Sequence, residues 1–250
     1  GKEIVPITNG VHHLTWTIPP MAKLFDSHLD GWREEPNLVH GANKIPNSEL
    51  MESRESARQI LRELVEASTG VKLEKDRLTI GFARRFATYK RANLVFHDLE
   101  RLRKIGSGKI QFVFSGKAHP RDEGGKALIK SIFDSAKELE KDIPIAFIED
   151  YSMATGLAMT GGVDIWLNNP IRPMEASGTS GMKAAMNGVP NCSILDGWWP
   201  EGCEHGVNGW AIGEANDERN DVRDAKNVLD VIENEVLTAV SYTHLRAHET

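Results

Sequence analysis

Residues 175–183 read Glu175-Ala-Ser-Gly-Thr-Ser-Gly-Met-Lys183 and run into Ala184-Ala-Met-Asn-Gly188. They follow Val163-Asp-Ile-Trp-Leu-Asn168, an apolar run of strand length. Two glycines then turn the chain into the start of a helix, where unpaired N–H groups and the positive end of the macrodipole favour an anion, most naturally a phosphate. Gly178 and Gly181 permit close backbone approach, and Thr179 and Ser180 add hydroxyl donors. Lys183 lies near the helix start, where its amine is a point charge or the partner of an aldehyde cofactor in a Schiff base. Glycines between a strand and a helix also serve packing alone, so the phosphate reading needs further residues.

A second stretch supplies them. Gly81-Phe-Ala-Arg-Arg-Phe-Ala-Thr-Tyr-Lys-Arg91 follows the strand Leu78-Thr-Ile-Gly81 and sets Arg84, Arg85, Lys90 and Arg91 close together. They fall at a strand's C-terminal end, the edge where open α/β sheets bind ligands. The plainer reading is a solvated surface cluster.

Outward from these stretches the chain alternates. Strands are expected at 78–83, 110–115, 143–148 and 163–167, and helices at 90–104, 122–141 and 151–160. That order demands right-handed βαβ crossovers, so the fold class is α/β, a doubly wound parallel sheet of Rossmann-like type. Upstream, a short helix is expected over 20–29, and Ser48 is placed to cap a helix to residue 67 with Leu50, Ala57, Ile60, Leu61, Leu64 and Val65 on its apolar face. Thr69-Gly70 closes that helix. Downstream, a charged helix over 215–236 carries the stripe Val222, Val228, Leu229, Ile232 and Val236. Residues 1–16 read as the end of a preceding element and its crossover, 17–238 as the domain, and 239–250 as a non-native tail, so His244 and His248 carry no function.

The net charge of −6 argues against a nucleic-acid surface while permitting a local cationic pocket. Cys192 and Cys203 lack metal or redox spacing and read as free thiols of a reducing compartment. No apolar run suits a bilayer and no signal peptide is evident, so the expected location is the cytoplasm, without a membrane partner. His12-His13 on a loop points to neither metal nor base. Lys117 and His119, in Gly116-Lys-Ala-His-Pro120, fall at the ligand edge and could line the cleft. The tryptophans of Asp196-Gly-Trp-Trp-Pro-Glu-Gly202, and Trp210, serve equally as a sugar platform or a buried plug.

Taken together, E-A-S-G-T-x-x-M-K, R-R-F-x-x-Y-K-R and the opening T-N-G-V-H resemble the α-glucan phosphorylases of the shorter bacterial type. The likeness covers residues 4–213 and includes G-K-A-H-P at 116–120, E-D-Y at 149–151 and L-D-G-W-W at 195–199. It implies the C-terminal half of a two-domain GT-B-type glycosyltransferase that cleaves α-1,4-glucan with inorganic phosphate to α-glucose 1-phosphate, using pyridoxal 5'-phosphate. By resemblance Lys183 carries the cofactor as a Schiff base. Thr179, with the amides around Gly178 and Ser180, holds the cofactor phosphate with help from Arg84, and Tyr151 contacts the cofactor. Arg85 and Lys90 grip the substrate phosphate. Asn9, Glu175 and the amides of Ala176, Ser177 and Gly178 bind glucose.

The sequence departs from longer members of that family at Ser180-Gly181, where they have glycine-asparagine, and at Arg84, where they have lysine. The resemblance further implies a missing N-terminal domain as partner, a chain inactive on its own, and room for a homo-oligomer in the full enzyme. Two other readings compete. One is a nucleotide-sugar-dependent glycosyltransferase of the glycogen or starch synthase type, in which Lys183 has no necessary partner; the other is a non-catalytic carbohydrate-binding fragment, indifferent to phosphate.

Overall fold

The computed structural model describes residues 7–239. Six strands form one sheet: β1 (Leu78–Ala83), β2 (Ile110–Ser115), β3 (Ile145–Ile148), β4 (Ile165–Asn168), β5 (Asn191–Ser193) and β6 (Gly209–Ala211). Their order is β3-β2-β1-β4-β5-β6 and every pairing is parallel. Strand order therefore reverses between β1 and β4, which opens a crevice beyond their C-terminal ends.

Both faces of this sheet are covered, so its strands are buried throughout β1 and β2. Alternation sorts the side chains. Ile80, Phe82, Phe112 and Phe114 pack on one face with α4 (Leu99–Gly106), α5 (Glu123–Leu139) and α9 (Asp221–Val231). Ala83, Val113 and Trp166 pack on the other with α3 (Asn47–Thr69), α6 (Met153–Gly162) and α7 (Thr179–Met186). A third cluster, including Ile18, Met21, Phe25 and Trp32, joins α2 (Pro19–His28) to α3 and seats the entering segment, which carries α1 (His13–Trp16). The remaining helix, α8 (Trp199–Gly202), is a single turn.

Several expectations are corrected. Ser48 does not cap α3: that helix begins at Asn47 behind Pro46, with no side-chain cap, while Gly70 closes it at φ 71° as read. The helix expected over 90–104 is two short turns followed by α4, because Arg91 takes φ 48° and Asp98 starts a new helix by accepting the Arg101 N–H at 2.9 Å. The helix expected over 151–160 starts two residues later, with Ser152 as its cap. Val222 is exposed and leaves the stripe, whose other members are buried along α9 and the following π turn Ile232–Val236. Ile60 likewise lies at the surface. Strands β5 and β6 went unread because three residues each give no periodicity. The tail and the first six residues lie outside the described residues.

Candidate functional site at the sheet switch point

Four strand ends feed one edge. β1 delivers Arg84 and Arg85, β2 delivers Lys117, β3 delivers Tyr151, and β4 leads through the loop 169–178 into α7. Gly178 caps α7 at φ 73°, a left-handed geometry that a side chain would strain. A Cβ on Gly181 would lie 2.4 Å from Asn191 Oδ1 and 2.9 Å from Trp198 Nε1, so its smallness lets β5 and the loop 195–198 close on the helix.

Glu175 is the pivot of the site. Its carboxylate hydrogen-bonds Lys90 Nζ and pairs with Arg84 Nη2 at 3.1 Å, and all three side chains are less than a tenth exposed. Its backbone N–H donates to Asp196 Oδ2 at 2.9 Å, and Trp198 N–H donates to Ser177 O at 2.9 Å, so the loop 195–198 braces the loop 175–178. Ala176 lies exposed at the tip of this loop. Burial pushes the Arg84 guanidinium below the ordinary arginine range, and Glu175 pulls it partly back. Arg84 Nη2 also reaches Ser180 Oγ at 3.5 Å, where Trp166 Nε1 donates at 3.2 Å, while Arg84 Nη1 is buried with no hydrogen-bond partner among the described residues.

Arg84, Arg85, Lys117, Ala118, His119 and Tyr151 line a hollow of about 340 Å³. Burial raises the Tyr151 phenol above its usual value. Lys117 and His119 thus meet the arginine pair as the sequence suggested. Arg91 does not join them. It turns into the protein and donates to Asn169 O, Pro170 O, Asp221 and Asp224, which makes it a structural clamp.

Lys183 projects from α7 with Nζ 3.3 Å from the centroid of the Trp16 ring. Desolvation lowers its pKa, which favours the neutral, nucleophilic amine. Ser180 and Lys183 lie three residues apart on one helix, so Arg84 and the amine approach the same helix face. Trp16 also lies against Gly156, beside the Tyr151 hydroxyl. The Lys183 amine is not itself among the groups lining the hollow. Asn9 enters from the other side: its N–H donates to Ser177 Oγ at 3.2 Å, next to Thr8, which donates to Glu201.

Sequence reasoning overlooked three supports: Trp16, Asp196 and Asn187. Asn187 accepts the Ile18 N–H at 2.8 Å and donates to Trp16 O at 2.7 Å and Lys183 O at 2.8 Å. Only the Asp-Gly turn of 196–197 carried a local signal. The tryptophan ambiguity resolves by position: Trp199 and Trp210 are buried in the core, while half-buried Trp198 lies along the glycine turn. Among the described residues no helix is long and apolar enough to cross a membrane, and no cluster of ligating side chains suits a metal ion. Cys192 and Cys203 are free thiols.

Fold and site define a doubly wound α/β domain whose switch-point crevice gathers cations, a buried carboxylate and a lysine-bearing helix. Residues 2–233 match the carbohydrate phosphorylase family, and the chain belongs to it. It is 44% identical to the maltodextrin phosphorylase of Thermococcus litoralis, covering 92% of this chain and 30% of that protein. It is 42% identical to the glycogen phosphorylase of Aquifex aeolicus, over 92% of this chain and 37% of that one. The glycogen phosphorylase of Mycobacterium tuberculosis is 38% identical, over 90% and 29% respectively. The chain thus spans about a third of the length of these relatives.

Proposed function

We propose that residues 17–238 are the pyridoxal-phosphate-bearing C-terminal half of a GT-B-type α-glucan phosphorylase, with 1–16 as the crossover from an N-terminal domain. The reaction is transfer of a glucosyl unit from α-1,4-glucan to inorganic phosphate, giving α-glucose 1-phosphate. The observation that carries this reading is the buried Arg84 Nη1, without a hydrogen-bond partner among the described residues, at a hollow also lined by Arg85 and Lys117, together with the desolvated Lys183 amine on the helix whose Ser180 Arg84 Nη2 approaches. That donor set fits a phosphate-bearing aldehyde: the amine for the aldehyde carbon, the guanidinium and helix start for the phosphate.

Lys183 would hold the cofactor covalently, with Thr179, the amides of Gly178 and Ser180, and Arg84 around its phosphate, and Tyr151 flanking it. When bound, that phosphate group supplies the proton relay to the substrate phosphate. Arg85, exposed at the hollow, would grip the substrate phosphate as a planar fork, and Lys90 as a point charge. Asn9, Glu175 and the amides of 176–178 would orient the sugar, and the N-terminal domain would close the crevice and exclude water. On this reading the full-length enzyme works in the cytoplasm, with glucan and phosphate as partners and scope for a homo-oligomer, while the 250-residue chain alone turns over no glucan.

Incubation of the chain with pyridoxal phosphate, borohydride reduction and peptide mapping tests the cofactor reading. The label is expected on Lys183 and is lost in Lys183→Ala; labelling spread evenly over surface lysines would refute it. Phosphorolysis by the isolated chain at the rate of a complete phosphorylase would contradict the claim that a second domain is needed.

A further inference from the structure

The loops that follow β4, β5 and β6 enclose a second cavity, of about 270 Å³, against α9. It shares no lining residue with the hollow at the ends of β1, β2 and β3. Ile171, Ile194 and Ile212, one from each loop, give it an apolar floor, and the last two are buried. Its walls are polar. Arg172, Arg219 and Arg223 line it together with Glu214, Glu218 and Asp224. Around that ring Asp217 pairs with Arg172, Asp221 pairs with Arg219, and Arg91 spans Asp221 and Asp224, while Arg223 holds Glu218 and Asp224. The four arginines are thus matched by carboxylates, and the one in excess, Glu214, is exposed and screened by water, so an ion of either sign gains little by entering.

Hydrogen-bonding capacity is left over. Arg172 meets Asp217 through Nε at 2.8 Å, and neither its Nη groups nor the Asn227 amide makes a hydrogen bond among the described residues. Asn216 Oδ1 accepts the Glu218 N–H at 2.8 Å, which leaves its Nδ2 as a further donor. Gly213 takes φ 67°, and a Cβ there would lie 2.5 Å from Asn227 Nδ2, so glycine keeps room for that amide at the cavity wall. Unspent donors and acceptors over an apolar floor suit a neutral polyol ring, whose hydroxyls both donate and accept and whose C–H face is apolar. The volume falls below the roughly 300–1,000 Å³ of sites for drug-sized ligands, which favours a single ring.

We propose that this cavity is a carbohydrate subsite outside the switch-point crevice, taking one neutral glucosyl unit with the isoleucines under its C–H face and Arg172 and Asn227 on its hydroxyls. The loop from β4 that supplies Ile171 and Arg172 continues to Glu175, so glucan held here is held beside the crevice. The inference rests on the proposed function only for naming the sugar.

The test is titration of maltotriose into the 250-residue chain labelled with nitrogen-15, followed by protein-observed NMR. Saturable shifts are expected at the amides of 212–219 and at the Asn227 side chain. Asn227→Leu and Arg172→Met should each weaken the binding read at 212–219 about tenfold. Inorganic phosphate, with ionic strength held constant by chloride, should leave those shifts unchanged. Shifts absent from 212–219, binding there as tight in Arg172→Met as in the unaltered chain, or displacement by phosphate would each overturn the proposal. Arg172→Met alone carries the test if Asn227→Leu does not fold by circular dichroism. Aldehyde label on Lys183 without shifts at 212–219 defeats this inference alone; shifts there without the label defeat only the cofactor reading.

Discussion

Truncating Asn187 to alanine examines how the amine-bearing helix is held. The side chain is fully buried and makes three hydrogen bonds, from Ile18 N–H and to the carbonyls of Trp16 and Lys183, at 2.7 to 2.8 Å. Its backbone carbonyl also accepts from Arg54 Nη1 at 3.1 Å, a contact that survives the change. Each lost bond is worth about 1 kcal/mol net, and a buried group left unpaired costs more, so the loss should come to about 3–4 kcal/mol. That is a large share of the roughly 5–15 kcal/mol that stabilises a domain. In urea, with a slope of about 1–3 kcal/mol per molar, the midpoint should fall by about 1–4 M with the slope unchanged. Ser48→Ala is the matched control: it removes a hydroxyl that caps nothing, and its midpoint should not move. A shift for Asn187→Ala as small as that of the control would refute the claim that this side chain ties α7 to the entering segment.

The two fates of the arginines separate in mutagenesis. Arg91→Met breaks a buried ionic clamp and should cost about 3–5 kcal/mol in urea unfolding, whereas Arg85→Ala should leave stability within about 0.5 kcal/mol and weaken phosphate binding. Lys183 gives a pH signature: burial lowers its folded pKa, so the unfolded chain binds the extra proton and the charged amine penalises folding below the folded value. The penalty fades as pH rises toward about 10.4, the ordinary lysine value, so Lys183→Met should be more stable than the unaltered chain at neutral pH and lose that advantage near pH 10.4. A pH-independent gap between the urea midpoints would count against burial as the cause. Gly181→Ala puts a methyl against Asn191 and Trp198 and should destabilise by about 1–3 kcal/mol, measurable as a lower melting temperature.

Much of the fold was legible because parallel strands buried on both faces are continuous apolar runs. Strands β1 and β2 sit where the pattern placed them, and β4 begins two residues inside its expected run. Legibility failed where local pattern was absent or overridden. Arg91 looked like a fourth ligand cation, yet its left-handed backbone and the acids of a helix 130 residues away turn it inward. The site's motif residues were readable as types, a glycine turn with hydroxyls and an amine beside a cationic run, and family likeness gave them roles.

The sequence by itself determined the doubly wound class, the strand edge that gathers the candidate residues and the helix that presents Lys183, since periodicity, turn chemistry and motif spacing are properties of neighbouring residues. Only the tertiary structure decided the strand order that opens the crevice between β1 and β4, the pairing of Glu175 with Lys90 and Arg84, and the seating of Trp16 over the amine. Those contacts join residues 85 to 167 positions apart, and their partners are chosen by packing and by the need to satisfy buried charge, neither of which leaves a local trace in the chain.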